Sequence, residues 1–183
     1  MTKPNIILTG FMGSGKSTVG KLLARQLGYD FIDTDHLIEQ RCGMSVQELF
    51  KIKGEEVFRA MEASIAQELG TEQGLVVSTG GKLMLDPANA KALGASGRVF
   101  CLVASAEETL KRVLTDRGVK RPLLEATSPM DRILELLQER QEGYSRYCQI
   151  ITTAKSPDEV AEHLLEIFRA NPDLSGPCVS KDL

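Results

Sequence analysis

The residues best suited to chemistry stand near the start of the chain. Gly10 to Ser17, GFMGSGKS, fits the spacing G-x-x-x-x-G-K-[ST]. Glycines at these positions let successive backbone N–H groups face an anion with no Cβ in the way. A helix opening directly after the loop sets its positive end against the same charge. Lys16 can reach the β- and γ-phosphates of a nucleotide, and the Ser17 hydroxyl can ligate Mg²⁺. A glycine-rich turn with an incidental lysine is the alternative, but a strand before the loop and a helix after it are the setting a triphosphate cradle requires. Switches, motors and kinases all share such a cradle, so it does not name a reaction.

A second substrate has to be read elsewhere. Asp33 and Asp35 follow a short apolar run, and alternation along an extended chain aims both to one side. One carboxylate can orient water on Mg²⁺ while the other accepts hydrogen bonds from a substrate hydroxyl. A solvated acidic turn, or a cap for the helix that follows, is the alternative. Arg59 lies in GEEVFRAME with Val57 and Phe58 expected inward. Taken alone it reads equally as a solvent-facing helical charge. STGGK, Ser78 to Lys82, ends a strand in a glycine turn that either presents backbone N–H to a ligand or makes a tight corner. KRPLL, Lys120 to Leu124, places Arg121 in a polar loop where it can clamp an anion, and Arg140 sits near a helix end, followed by Tyr144.

The elements that must position these groups alternate between two periods. Strands are expected at Asn5 to Thr9, Tyr29 to Ile32, Leu75 to Ser78, Arg98 to Val103 and Ile150 to Thr153. Helices are expected over Ser17 to Leu27, His36 to Cys42, from Ser45 with a restart at Gly54 through Glu68, and over 106–114, 131–143 and 157–170. Ser45 and Glu48 have capping-box spacing. Strands alternating with helices imply an α/β domain with a parallel sheet covered on both faces. The stretch 115–129 is long and polar, as lids and mobile binding segments are, and 171–183 has no periodicity and is expected to be disordered.

Bulk properties bound the rest. A chain of 183 residues makes one domain with a full core. A net charge of −3 with no polybasic tract gives a nucleic-acid partner no electrostatic support. No apolar run approaches the roughly 20 residues that span a bilayer, and the N-terminal residues carry no signal-peptide pattern. Cys42, Cys101, Cys148 and Cys178 have neither CxxC nor zinc-like spacing, and reduced thiols in a cytoplasmic, monomeric protein are expected.

Together, GFMGSGKSTVG, FIDTDHLIE, GEEVFRAMEA, STGG, RPLL and ERQEGY resemble the shikimate kinase family, in family order over roughly residues 5–168. The phosphate loop is common to many families; the acidic segment combined with G-E-x-x-F-R-x-x-E and RPLL is specific. The resemblance implies a three-layer P-loop kinase fold resembling nucleoside monophosphate kinases. That fold has a five-stranded parallel sheet flanked by helices, in a single domain over 1–170, with a substrate-binding region near 33–61 and a mobile lid near 112–127. It implies ATP-dependent phosphorylation of the 3-hydroxyl of shikimate, giving shikimate 3-phosphate and ADP, in aromatic amino-acid biosynthesis. By the same resemblance Gly13, Ser14, Gly15, Lys16, Ser17 and Thr18 bind the ATP phosphates, with Ser17 on Mg²⁺. Asp33 holds magnesium through water, and Asp35 binds the substrate hydroxyls and serves as base. Arg59 and Arg140 grip the shikimate carboxylate, Gly81 offers a backbone N–H, and Arg121 reaches from the lid to the phosphates. Lys16, Asp35 and Arg121 are the catalytic set. A kinase for another carboxylated polyol, or a nucleotide-binding module that has lost catalysis, are the competing readings.

The chain departs from the family pattern in places. Lys82 stands where a third glycine is usual, and if that position needs positive φ the lysine costs about 1 kcal/mol or more. Alternatively it adds a cation near the substrate. Glu142 replaces a proline, Cys148 and Gln149 replace Ala-Asp, and Thr152 and Thr153 stand where an aspartate is often found. These bear on base contacts and turnover rate more than on reaction type.

Overall fold

The computed structural model describes residues 3–115 and 128–170. Most of the lid expectation, Arg121 included, and the expected tail at 171–183 lie outside the described residues.

Five strands form one parallel sheet: β1 (Asn5–Gly10), β2 (Asp30–Asp33), β3 (Leu75–Ser78), β4 (Gly97–Val103) and β5 (Cys148–Ile151). Their order is β2-β3-β1-β4-β5, with every neighbouring pair parallel. β1 is buried along its whole length because helices cover both faces of the sheet at its centre. The helices are α1 (Lys16–Leu27), α2 (Thr34–Cys42), α3 (Val46–Leu69), α4 (Pro87–Gly94), α5 (Ala106–Thr115), α6 (Pro129–Ser145) and α7 (Pro157–Ala170). One apolar layer, with Leu8, Leu23, Phe100 and Leu164, joins the sheet to α1 and α7. A second, with Ile7, Leu49, Ile65 and Leu93, joins it to α2, α3 and α4. A third, smaller cluster lies under α5 and α6, with Phe11, Cys101, Ile133, Leu136 and Tyr144.

This order places the chemistry. The chain builds outward from β1 first to β2, returns through β3, then crosses to β4, so the carboxyl end of β1 is the point where strand order reverses. Ligands of open α/β sheets bind outside the strand ends at such a switch point. The ends of β1, β2 and β3 deliver Gly10, Asp33 and Ser78 to that edge.

Local signals explain most boundaries. Ser45 and Glu48 do form a reciprocal capping box at the start of α3. The expected restart at Gly54 is a kink with φ 83° inside α3, so one pattern yields two helical arms. α4 was not expected, although Asp86 caps it through the N–H groups of Ala88 and Asn89, with Pro87 in the first turn. Its short sequence, PANAKALG, carries too little periodicity to announce it. β5 begins two residues earlier than expected because Cys148 and Ile150 are its buried positions. Cys42 and Cys101 are free thiols, as expected of them.

Candidate active site

The phosphate loop runs from β1 into α1 with Gly13 at φ 72° and Gly15 at φ 96°, conformations that a side chain would strain. The Ser14 N–H donates to the Phe11 carbonyl at 3.3 Å within the loop, and α1 begins at Lys16. The Lys16 ammonium donates to the carbonyls of Gly10 and Phe11, each at 2.9 Å. Ser14 is buried within the loop, while Ser17 and Thr18 are exposed on the first turn of α1. The loop is braced from behind by Arg112. Its guanidinium donates to the Gly13 carbonyl at 3.1 Å and to the Thr152 carbonyl at 2.9 Å, and pairs with Glu108. Arg112 falls within the span expected to be lid, but it belongs to α5 and supports the loop.

Asp33 is shared between the helix that follows it and the phosphate loop. Oδ1 accepts from the backbone N–H of Asp35 and His36, capping α2. Oδ2 accepts the Ser17 hydroxyl at 2.8 Å, and the Ser78 hydroxyl lies 3.4 Å from Ser17 Oγ. Asp35, two residues on, has a buried Oδ1 with no hydrogen-bond partner among the described residues. Burial, with Asp33 close by, pushes its carboxyl up to about 6.

A residue that the sequence reading gave no role, the last position of G-E-x-x-F-R-x-x-E, stands beside it. Glu62, 1% exposed, has Oε1 buried without a partner, and burial lifts its carboxyl to about 7 against the pull of Arg59. Both orphaned oxygens close on Gly80. A Cβ there would stand 2.6 Å from Asp35 Oδ1 and 2.9 Å from Glu62 Oε1, so only glycine admits the two carboxylates. The Gly80 N–H donates to the buried Thr34 hydroxyl at 3.0 Å, which fixes the turn. Spacing offered one hint of Glu62: it lies three residues after Arg59, on the same helical face.

Arg59 reaches this turn through Glu62, and Arg140 packs against it directly. Arg59 Nη1 donates to Glu62 Oε2 at 2.5 Å, while Nε and Nη2 donate to Glu55 Oε1 at 3.1 and 2.8 Å. Its guanidinium also lies 5.1 Å from the Phe58 ring. Arg140, on α6, is 4% exposed and packs beside Gly81, where an added Cβ would come within 3.1 Å of Nη1. Its Nε has no hydrogen-bond partner among the described residues. The Tyr144 hydroxyl donates to the Gly81 carbonyl at 2.6 Å and also pairs with Arg140. Gly80 thus meets the carboxylates of Asp35 and Glu62, and Gly81 the guanidinium of Arg140.

Lys82 has φ −110° and ψ −11°, so the feared cost of positive φ does not arise. Its ammonium lies 3.9 Å from the Glu139 carboxylate at the rim.

Set beside known proteins, a family model described as Shikimate kinase matches residues 12–169. The shikimate kinase of Thermodesulfovibrio yellowstonii is 41% identical over 166 residues, covering 90% of this chain and 94% of that one. That of Geobacter sulfurreducens is 42% identical over 166 residues, covering 90% and 91%. Shikimate kinase from Acinetobacter baumannii, solved in complex with shikimate, superposes with TM-score 0.84 at 36% identity, covering 93% of this chain and 95% of that one. The span of the family model takes in most of the phosphate loop, the β2 edge, α3, the glycine turn and α6. The chain belongs to the shikimate kinase family.

Proposed function

We propose that this protein transfers the γ-phosphoryl group of ATP to the 3-hydroxyl of shikimate, giving shikimate 3-phosphate and ADP. The loop amides of residues 13–18 and the Lys16 ammonium hold the triphosphate, the lysine turning from two carbonyls to the phosphates. The acceptor lies across the Gly80–Gly81 turn, its carboxylate toward Arg59 and Arg140 and its hydroxyls toward Asp35. An oxygen of the acceptor forms a bond to the γ-phosphorus, the bond from that phosphorus to the β–γ bridging oxygen breaks, and the hydroxyl proton passes to Asp35. A carboxyl raised to about 6 by burial is a better proton acceptor near neutral pH than an ordinary aspartate.

The oxygen set of Ser17, Asp33 and Ser78 fits magnesium, which takes one or two carboxylates alongside substrate phosphates. Ser17 would hold it directly and Asp33 through water; when bound, the ion supplies charge neutralisation at the β- and γ-oxygens. We take the enzyme to act as a monomer.

The observation that carries this reading is the glycine pair with carboxylates on one residue and a buried guanidinium on the next. A small anionic triol needs that combination of hydroxyl acceptors and carboxylate donors. Acceptor-dependent ADP release, measured with shikimate, quinate and gluconate, tests it. Release with shikimate is expected. Release only with quinate or gluconate, or ATP binding without turnover on any of them, would overturn the reading.

A further inference from the structure

We propose that Phe11, a residue of the phosphate loop, is a positioning residue for the acceptor: its ring supports the Arg140 guanidinium from below. The proposal rests on the reading that Arg140 receives the acceptor carboxylate.

Arg140 Cζ lies 5.4 Å from the centroid of the Phe11 ring, and both residues are 4% exposed. A guanidinium this deep is ordinarily held by a carboxylate, and even the shallower Arg59 pairs with two. Among the described residues no carboxylate lies within 4.0 Å of Arg140, and Nε has no hydrogen-bond partner. What fixes the group is the ring below it, the Gly81 backbone beside it and the Tyr144 hydroxyl. The ring face attracts the cation through its quadrupole without neutralising it. A carboxylate in the same place would position the arginine equally well and cancel the charge it must offer to an anion.

Phe11 is itself held still, packed in the cluster with Cys101, Ile133, Leu136 and Tyr144. Its backbone faces the other way, with its carbonyl accepting from Lys16. One residue therefore serves two sites, its main chain on the nucleotide side and its side chain on the acceptor side.

The test is steady-state kinetics on Phe11→Leu, which keeps apolar bulk and removes the π face, with Phe11→Met as a second variant able to repack the cluster. Melting curves confirm that each is folded. We expect KM for shikimate to rise roughly 5- to 30-fold, the span of a desolvated cation–π contact, with KM for ATP within about twofold of wild type. Introduced into an Arg140→Ala background, Phe11→Leu should add no further rise. The proposal is overturned if folded Leu and Met variants keep the wild-type KM for shikimate, if both KM values rise in proportion, or if the two effects add. An Arg140→Ala variant with unchanged KM for shikimate would overturn the acceptor reading as well. A strong Arg140 effect with a silent Phe11 would overturn this inference alone.

Discussion

The nucleotide and acceptor sides of the site meet at one sheet edge and are built on opposite plans. The nucleotide side is mostly main chain: glycines at positive φ, a helix terminus, and a lysine whose ammonium is already hydrogen-bonded to two carbonyls. The acceptor side is side chains drawn from α2, α3 and α6 around a two-glycine turn. It also concentrates the expensive groups. Of the five buried polar atoms without partners among the described residues, the three on charged side chains, Asp35 Oδ1, Glu62 Oε1 and Arg140 Nε, are all on this side. Thr9 and Ser14, near the phosphates, orphan only hydroxyls. An unpartnered buried ionic group costs more than an unpartnered hydroxyl, so the acceptor side holds the strain of the site. Main chain suits a ligand whose charge is dense and generic; placed charges suit one that must be told from similar polyols.

Mutations should separate the two plans. The largest effect is expected from Lys16→Met, which removes the phosphate loop's own side-chain cation: kcat should fall about 10³-fold, read by ADP release at saturating shikimate. A loss confined to KM for shikimate would break the division between the sides.

Next comes Asp35→Asn, with an expected fall in turnover of about 10²-fold or more. The same substitution should stabilise the protein at neutral pH. Asp35 and Glu62 have folded-state pKa values raised from 3.8 and 4.5 to about 6 and about 7. Any stability they contribute is therefore complete below about pH 4 and is lost as pH rises through 6 to 7. Melting temperature should favour Asp35→Asn over wild type at pH 8, and the gap should close at pH 4. A gap that widened toward acid would put the charged form of Asp35 in a favourable setting and refute the strain described above.

Arg59→Ala should raise KM for shikimate roughly 10- to 100-fold, the worth of charge-assisted hydrogen bonds, while KM for ATP stays near wild type. Equal loss of both would show that the two sides are not separable. The smallest change is expected for Tyr144→Phe. It leaves the Gly81 carbonyl without its 2.6 Å donor, and about 1 kcal/mol of stability should go with it. A melting temperature lower by about 2–4 °C and a few-fold rise in KM for shikimate would register that loss.

The difference between the sides also governs how far each could be read in advance. Eight consecutive residues specify the phosphate loop, because a backbone site needs glycines at fixed spacing and a strand and helix at its ends. Asp35, Arg59, Gly81 and Arg140 were named, but as isolated residues each had an ordinary alternative, and only the resemblance joined them. Glu62, Phe11 and Arg112 received no role. A buried glutamate, a loop phenylalanine and a helical arginine look the same in sequence whether or not they support a site.

What the chain determined by itself was local: the period of each strand and helix, the capping box at Ser45, the arm-breaking glycine at 54 and the phosphate loop. Each depends on neighbours a few residues apart, where sterics and hydrogen bonding act directly on the backbone. The tertiary structure decided which charges lose water and which side chains meet. It buried Glu62 beside Asp35, laid Arg140 on the Phe11 ring, and gave Lys82 an unstrained backbone where a glycine was expected. Burial and contact between α3, α6 and the glycine turn exist only once the sheet has brought distant segments together, and these contacts decide the electrostatics of the acceptor side.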